Sequence, residues 1–521
     1  MKIIRYKLRK IVPQALALSL LISTQCGIGI AVADPIDAEQ KDKAEQEVTP
    51  QPAPARTGST VVVGPAARHP GPRTAGSRDS KLKGSGRPSS SSDEEDKPLV
   101  SNWAPSDIKT DRNYNKMVLD RVDKIVRKHF YDHDLVTSAW IPALENNREK
   151  ILASKNLVDL FNSINSTLAA LKSSHTEFNT SNDEIFYFLH DMFGRWNPKM
   201  TVPGDYVGLM TGPPRFAVDR VRYVVDDSPA AKAGLQVGDR IVSVDSKPYL
   251  GQSNFFGLSG KKVTIEYERG GKKAKCTIVP IKKDEYLQYV DAIRKSSRLY
   301  QLSGHTIAYV HDWCGGNDAH NALDEVLEGK IGDSEGLILD LRDGYGGNSM
   351  EDLDHFYRNP AGYPKFILKG RDGKIQTTYM TYDKPVVALI NDGARSGKEL
   401  LAYSLKSSGR APLVGITTAG AVLGGRLFPL DKRTALYLAV ADGNMGGVRL
   451  EGVGVKPDIE VGDDCSEAGK QAQLHVAEDL LLQMLQRPKR SYNTAGTPNS
   501  DADFMLEWAT NHRSSKPPQQ P

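Results

Sequence analysis

Cysteine is scarce: four residues in a chain of 521. Cys26 lies in the leading segment, which leaves Cys276, Cys314 and Cys465. Three thiols make no disulfide framework and at most one bridge within a chain, and their spacing is not that of a zinc site. An excess of one charge is also lacking. The 68 basic and 64 acidic residues leave a net charge of +4, so no global field argues for nucleic acid or a membrane surface as partner. Long apolar runs are confined to residues 11–32, behind the basic opening MKIIRYKLRK. Ala31-Val32-Ala33 then supplies a small-x-small cleavage site, and 1–33 reads as a secretory signal peptide. The mature chain is expected to be secreted or periplasmic; an uncleaved membrane anchor is the alternative. Gln25 before Cys26 argues against lipidation.

Periodicity divides what remains. Residues 34–100 are rich in Pro, Gly, Ser, Lys and Glu. Such a segment cannot bury enough apolar surface to offset chain entropy, so a disordered linker is expected. Residues 101–200 turn helical. Met117, Val118, Val122, Ile125 and Val126 recur at three and four, as do Leu157, Leu160, Phe161, Ile164, Leu168 and Leu171, and a third apolar run covers 185–193. Residues 201–285 read as short strands, with a hairpin of 263–268 and 274–279 about Gly270-Gly271. Residues 286–465 alternate strand and helix, with strands at 307–310, 336–342, 385–390, 411–415 and 436–440. An amphipathic helix, 472–485, opens the last segment, 466–521. Its tail is polar apart from 504–508, which is expected to dock. The fold class is multidomain α+β.

The richest stretch is 384–420, KPVVALINDGARSGKELLAYSLKSSGRAPLVGITTAG. A buried strand runs into the turn Asn391-Asp392-Gly393, and Ser396 then opens a helix. A serine there is ordinarily an N-cap. The same position also sets a hydroxyl beside unpaired helix N–H groups that favour an anion, which is what an acyl-transfer nucleophile needs. Asn391, Gly393, Ser396, Glu399, Gly409, Arg410, Ala411, Val414 and Gly415 together resemble the core motif of the carboxy-terminal processing (tail-specific) proteases. One departure is large. Bacterial members place a catalytic Lys where this chain has Ala421, and Thr417-Thr418-Ala419-Gly420 is instead similar to the tricorn-type branch, which uses a His. Phe130-Tyr131, Trp140 and Leu171-Lys172-Ser173-Ser174-His175-Thr176 resemble that branch's helical domain.

The resemblance implies a ClpP/crotonase-like α/β protease core with Ser396 as nucleophile, His175 as general base and Ser174 orienting the imidazole. Leu339-Asp340-Leu341-Arg342-Asp343-Gly344-Tyr345-Gly346-Gly347 is similar to the family's glycine-rich strand end, which makes Gly346 and Gly347, with the N–H of Gly397, the expected oxyanion site. Arg449-Leu450-Glu451-Gly452-Val453-Gly454 resembles the family's closing motif, with Glu451 as the candidate last member of a tetrad. Ser228-Pro229-Ala230-Ala231-Lys232-Ala233-Gly234-Leu235 resembles a PDZ domain. Tyr206, Val207, Gly208 and Leu209 are similar to its carboxylate-binding loop, where a peptide's C-terminus meets backbone N–H groups.

These readings imply a serine endopeptidase acting on proteins or peptides, with no cofactor, metal or nucleic acid, and with a homo-oligomer left open. Two rivals stand beside it: a non-catalytic peptide-binding pseudoprotease and a PDZ-led adaptor. Lys398 is no substitute for the missing Lys. Residues two apart on a helix do not share a face, so its side chain is expected in solvent. A histidine base predicts a rate that rises as a sigmoid near neutral pH.

Overall fold

A computed structural model describes residues 108–195, 202–212, 219–356, 366–369, 375–378, 382–464 and 466–486. The expected signal peptide, the linker, Cys465 and the 504–508 segment lie outside them.

Asp111 caps the first helix, α1 (Arg112–His129), by accepting from Tyr114 N–H at 2.8 Å. Val118, Val122 and Val126 fall on its buried face, with Asn115 and Leu119 beside them. Helix α2 (Ile141–Leu152) follows. Asn156 caps α3 (Leu157–Leu168), which buries Leu157, Leu160, Ile164 and Leu168. These helices do not close a core alone. Strand Thr434–Ala441 pairs antiparallel with Glu177–Thr180, and its Leu436, Leu438 and Ala439 fill the helices' apolar face together with Phe178. The sequence places that strand with the α/β segment, but its burial partner is the helical one.

Helix α4 (Glu184–Gly194) leads towards the β-rich segment. There Arg240–Val244, Val263–Arg269 and Lys272–Ile278 form a sheet with Lys247–Pro248. The hairpin turn at Gly270 and Gly271 has positive φ at both residues, which glycine adopts without steric cost. Val263, Ile265 and Ile278 face Val207, Leu209, Leu235 and Phe255 in a separate small core.

Helix α5 (Glu285–Ser296) crosses to a six-stranded sheet. Its order is Arg298–Leu302, His305–His311, Gly336–Asp340, Val386–Ile390, Leu413–Gly415, Ile459–Glu460. All neighbours are parallel except the first pair. The connections include α6 (Asn317–Glu325) and α7 (Gly397–Ser407). Every residue of Gly336–Asp340 and Val386–Ile390 is buried, as strands covered on both faces require. Helix α8 (Glu467–Leu485) covers one face through Leu474, Ala477, Leu480 and Leu481. Among the described residues no helix is long and apolar enough to cross a membrane.

Candidate active site

Ligands bind an open α/β sheet at the carboxyl ends of its strands, and Val386–Ile390 ends in the turn that carries Ser396. Asn391 Oδ1 shapes that turn by accepting from Gly393 N–H at 2.9 Å and from Asp343 N–H, at the neighbouring strand end, at 3.0 Å. Ser396 has φ 58° and ψ −126°, a backbone region that costs a side-chain-bearing residue about 1–3 kcal/mol. Glu399 holds it there. Its carboxylate accepts from Ser396 N–H (3.1 Å), Thr418 Oγ1 (2.6 Å), Gly420 N–H (2.7 Å) and Ala421 N–H (2.7 Å). Ser396 N–H also donates to Ala421 O at 2.7 Å. The position that bears Lys elsewhere therefore adjoins the serine but has only a methyl group to offer.

The imidazole arrives from the opposite side. After α3 a 3-10 turn, Ala169–Leu171, ends on Lys172 in the left-handed region (φ 49°). The chain reverses through 173–176, where Ser173 Oγ and Thr176 Oγ1 lie 2.8 Å apart. It then enters the strand that pairs with Thr434–Ala441. His175 sits at this reversal, 221 residues from Ser396, with Nε2 3.1 Å from Ser396 Oγ. Its Nδ1 is 2.8 Å from Ser174 Oγ, which donates to Glu451 Oε2 at 2.8 Å. An ionised carboxylate only accepts. Ser174 Oγ therefore spends its proton on Glu451 and accepts from His175 Nδ1–H, which leaves Nε2 with its lone pair towards Ser396. Ser174 and Glu451 thus stand in series rather than as alternatives. Ser174 N–H and Val422 N–H fix Glu451 further, at 3.2 and 2.7 Å.

Burial, with a smaller contribution from the positive Arg395, lowers the His175 pKa to about 3. Burial therefore favours the neutral imidazole, against the sigmoid expected near pH 7.

Gly346 packs directly on the serine: a Cβ there would lie 2.5 Å from Ser396 Cβ and 3.0 Å from Gly397 N. A Cβ on Gly397 would collide with the Asn348 backbone. The approach of 346–348 to the first turn of α7 requires glycine on both sides. In that first turn Lys398 N–H donates to Arg395 O at 3.2 Å and Glu399 N–H to Ser396 O at 2.9 Å.

Lys398 requires a correction. It is fully buried rather than in solvent, and Nζ donates to Asp343 O at 2.7 Å. The helix face turned away from Ser396 rests on the sheet's end, where Asp312, Asp340 and Asp343 supply negative charge. Burial lowers its pKa despite those acids.

The 206–209 loop is buried. Val207 O accepts from Ala230 N–H at 3.0 Å, and Gly208 O accepts from Val225 N–H at 3.0 Å and from Ser228 Oγ at 3.3 Å. The one-turn helix Pro229–Lys232, capped by Ser228, sits over it. Cys276 and Cys314 are unpaired thiols.

Two residues not read from the sequence complete the surroundings. Arg395 Nη2 donates to Ser174 O at 3.3 Å, and the Tyr437 ring lies 5.5 Å from the His175 ring. Adjacency to Ser396 was the only available sign for the former. The latter needs the strand pairing, in which Tyr437 opposes Glu177. A cavity of about 540 Å³ opens on Ser396 and His175, with Phe188, Met192, Leu400 and Tyr437 among its walls.

A serine hydroxyl, a neutral imidazole and a relayed carboxylate beside a glycine-lined backbone form a constellation suited to acyl transfer. The chain carries a peptidase family S41 domain over residues 306–461 and a PDZ domain over 220–253. It is 27% identical over 300 residues to a carboxy-terminal-processing protease of Bartonella bacilliformis, covering 52% of this chain and 65% of that one. Against the carboxy-terminal processing protease CtpB of Bacillus subtilis it is 24% identical, covering 63% of this chain and 64% of that one. Tricorn protease homolog 1 of Streptomyces coelicolor is 25% identical over 71% of this chain and 35% of its own length. The chain thus spans less than two thirds of each of these relatives.

Proposed function

We propose that the protein is a serine endopeptidase of the carboxy-terminal processing type. The observation that carries this reading is the 3.1 Å approach of His175 Nε2 to Ser396 Oγ, within reach for proton transfer. Ser396 Oγ attacks a peptide carbonyl carbon while Nε2 takes its proton. The resulting imidazolium gives that proton to the leaving amine, and water attacks the acyl-enzyme by the same route in reverse. Ser174 and Glu451 hold the imidazole in the tautomer that leaves Nε2 free. N–H groups of Gly397 and of the Gly346-Gly347 segment receive the developing oxyanion.

The pseudoprotease reading loses its motive, because Ala421 stands beside a serine that already has a base. Peptide capture by the PDZ domain is part of the proposal. Export through the 1–33 segment, to the periplasm or beyond, belongs to the same reading.

A fluorophosphonate probe tests the assignment. Stoichiometric labelling is expected, lost in Ser396→Ala and slowed at least 100-fold in His175→Ala. Unchanged labelling in Ser396→Ala would overturn it.

A further inference from the structure

A second cluster of titratable side chains lies on the two helices that follow Gly315 and Asn348, on either side of the glycine loop. On α6, His320 and Asp324 are four residues apart and so share a face. The 3-10 helix Met350–Phe356 carries Asp352 and His355. Donor atoms of His320, Asp324 and His355 all lie within 4.8 Å of one another. Asp352 Oδ1 is 2.6 Å from His320 Nδ1. His355 Nε2 is 3.1 Å from the same nitrogen and 4.0 Å from Asp352 Oδ1. The other nitrogen of His355, Nδ1, faces Asp324 Oδ1 at 2.9 Å. Asp352 and His355 are buried, whereas His320 and Asp324 are half-buried and leave a path from solvent.

Asp352 Oδ1 and His355 Nε2 both face His320 Nδ1, while Asp324 Oδ1 faces the other nitrogen of His355. Three donor atoms separated by 2.6, 3.1 and 4.0 Å bracket the roughly 3.3 Å edge of a tetrahedron with bonds of about 2.0–2.1 Å.

We propose that His320, His355 and Asp352 bind a divalent first-row transition metal of the Zn²⁺ kind, with water in the fourth position. Asp324 is the outer carboxylate that fixes the ligating tautomer of His355. Imidazole nitrogen selects such a metal over Mg²⁺ or Ca²⁺.

The site's position gives it a consequence. Helix α6 starts just beyond Gly315, whose N–H donates to Gly346 O at 3.0 Å. The 3-10 helix starts just beyond Asn348, whose Nδ2 donates to Asp312 Oδ2 at 2.9 Å. A metal held between the two helices clips both flanks of the loop that faces Ser396, and so braces the backbone there. The binding itself does not rest on the peptidase reading.

The test uses the full chain, freed of any purification tag and stripped by chelator, then titrated with Zn²⁺ by calorimetry. One equivalent is expected, with a higher melting temperature and no effect of Mg²⁺. Co²⁺ in its place is expected to show the intense visible bands of tetrahedral coordination. His320→Asn, at a half-buried position, should abolish the equivalent while thermal unfolding remains cooperative, and Asp324→Asn should weaken it about 10–100-fold. No equivalent in the wild type, or an equivalent that survives unchanged in His320→Asn, would overturn the site; the second outcome marks adventitious metal elsewhere on the chain.

Discussion

At the scale of the residue, His175 decides how the molecule responds to acid. Burial favours the neutral ring and holds its pKa near 3. A base that is already neutral at pH 5 gains nothing from further alkali. Initial rates on a peptide without titratable side chains are therefore expected to be flat from pH 5 to 8 and to fall only as pH approaches about 3. A midpoint near 6.5 would contradict the depressed pKa. The same depression carries a stability cost on acidification. Below the unfolded value of about 6.5 the unfolded state takes up a proton that the folded state refuses, so this group's contribution is lost as pH falls from there towards 3.

At the scale of the element, α7 shows what patterning reveals and what it hides. The apolar run, the Asn391 turn and the helix after Ser396 were all legible, because burial and turn chemistry leave local marks. The resemblance around Ser174-His175-Thr176 and Glu451 pointed at residues that the structure brings within hydrogen-bond reach. The positive φ of Ser396 was not legible, since it depends on Glu399 reaching the 418–421 loop. The burial of Lys398 was also missed, because helical spacing says which residues share a face but not what the opposite face rests on. Lys398→Met removes the donor to Asp343 O and leaves a buried carbonyl unsatisfied. A loss of about 1–3 kcal/mol is expected in denaturant unfolding, with fluorophosphonate labelling of the folded fraction unchanged. Loss of labelling there would instead make Lys398 a participant in the chemistry. The four-residue cluster of His320, Asp324, Asp352 and His355 was invisible for a related reason. Each helix supplies only half of it, and neither half is a recognisable motif.

At the scale of the whole molecule, the PDZ segment and the α/β core meet over buried acids. Glu184 on α4 accepts from Tyr289 Oη, and Asp191 accepts from Glu285 N–H at 2.5 Å. Gln252 Nε2 bridges to Glu285 Oε1 at 3.4 Å and Asp205 O at 2.8 Å. Burial raises Glu184 and Asp191 to about 7, and burial with the neighbouring acids also raises Glu285 well above the usual carboxylate range. These folded values lie above the unfolded ones, so the stability they permit is complete below about pH 4.5 and declines as pH rises through 7. His175 works in the opposite direction below pH 6.5, so the test is a difference between variants: Glu285→Gln is expected to raise the melting temperature relative to the wild type by more at pH 8 than at pH 5. An equal shift at both pH values would mean that its carboxyl does not titrate in this range.

The relay through Ser174 ties together three distant parts of the chain, at positions 174–175, 396 and 451. Synthesis delivers the imidazole first, the nucleophile some 220 residues later and the carboxylate last. Strand Thr434–Ala441, which seats the His175 reversal, also follows the nucleophile. If the proposed role of Ser396 holds, a nascent polypeptide leaving the ribosome carries an inert hydroxyl until its final third has emerged and folded back, and the cell making it is spared a working cutter on an unfinished chain.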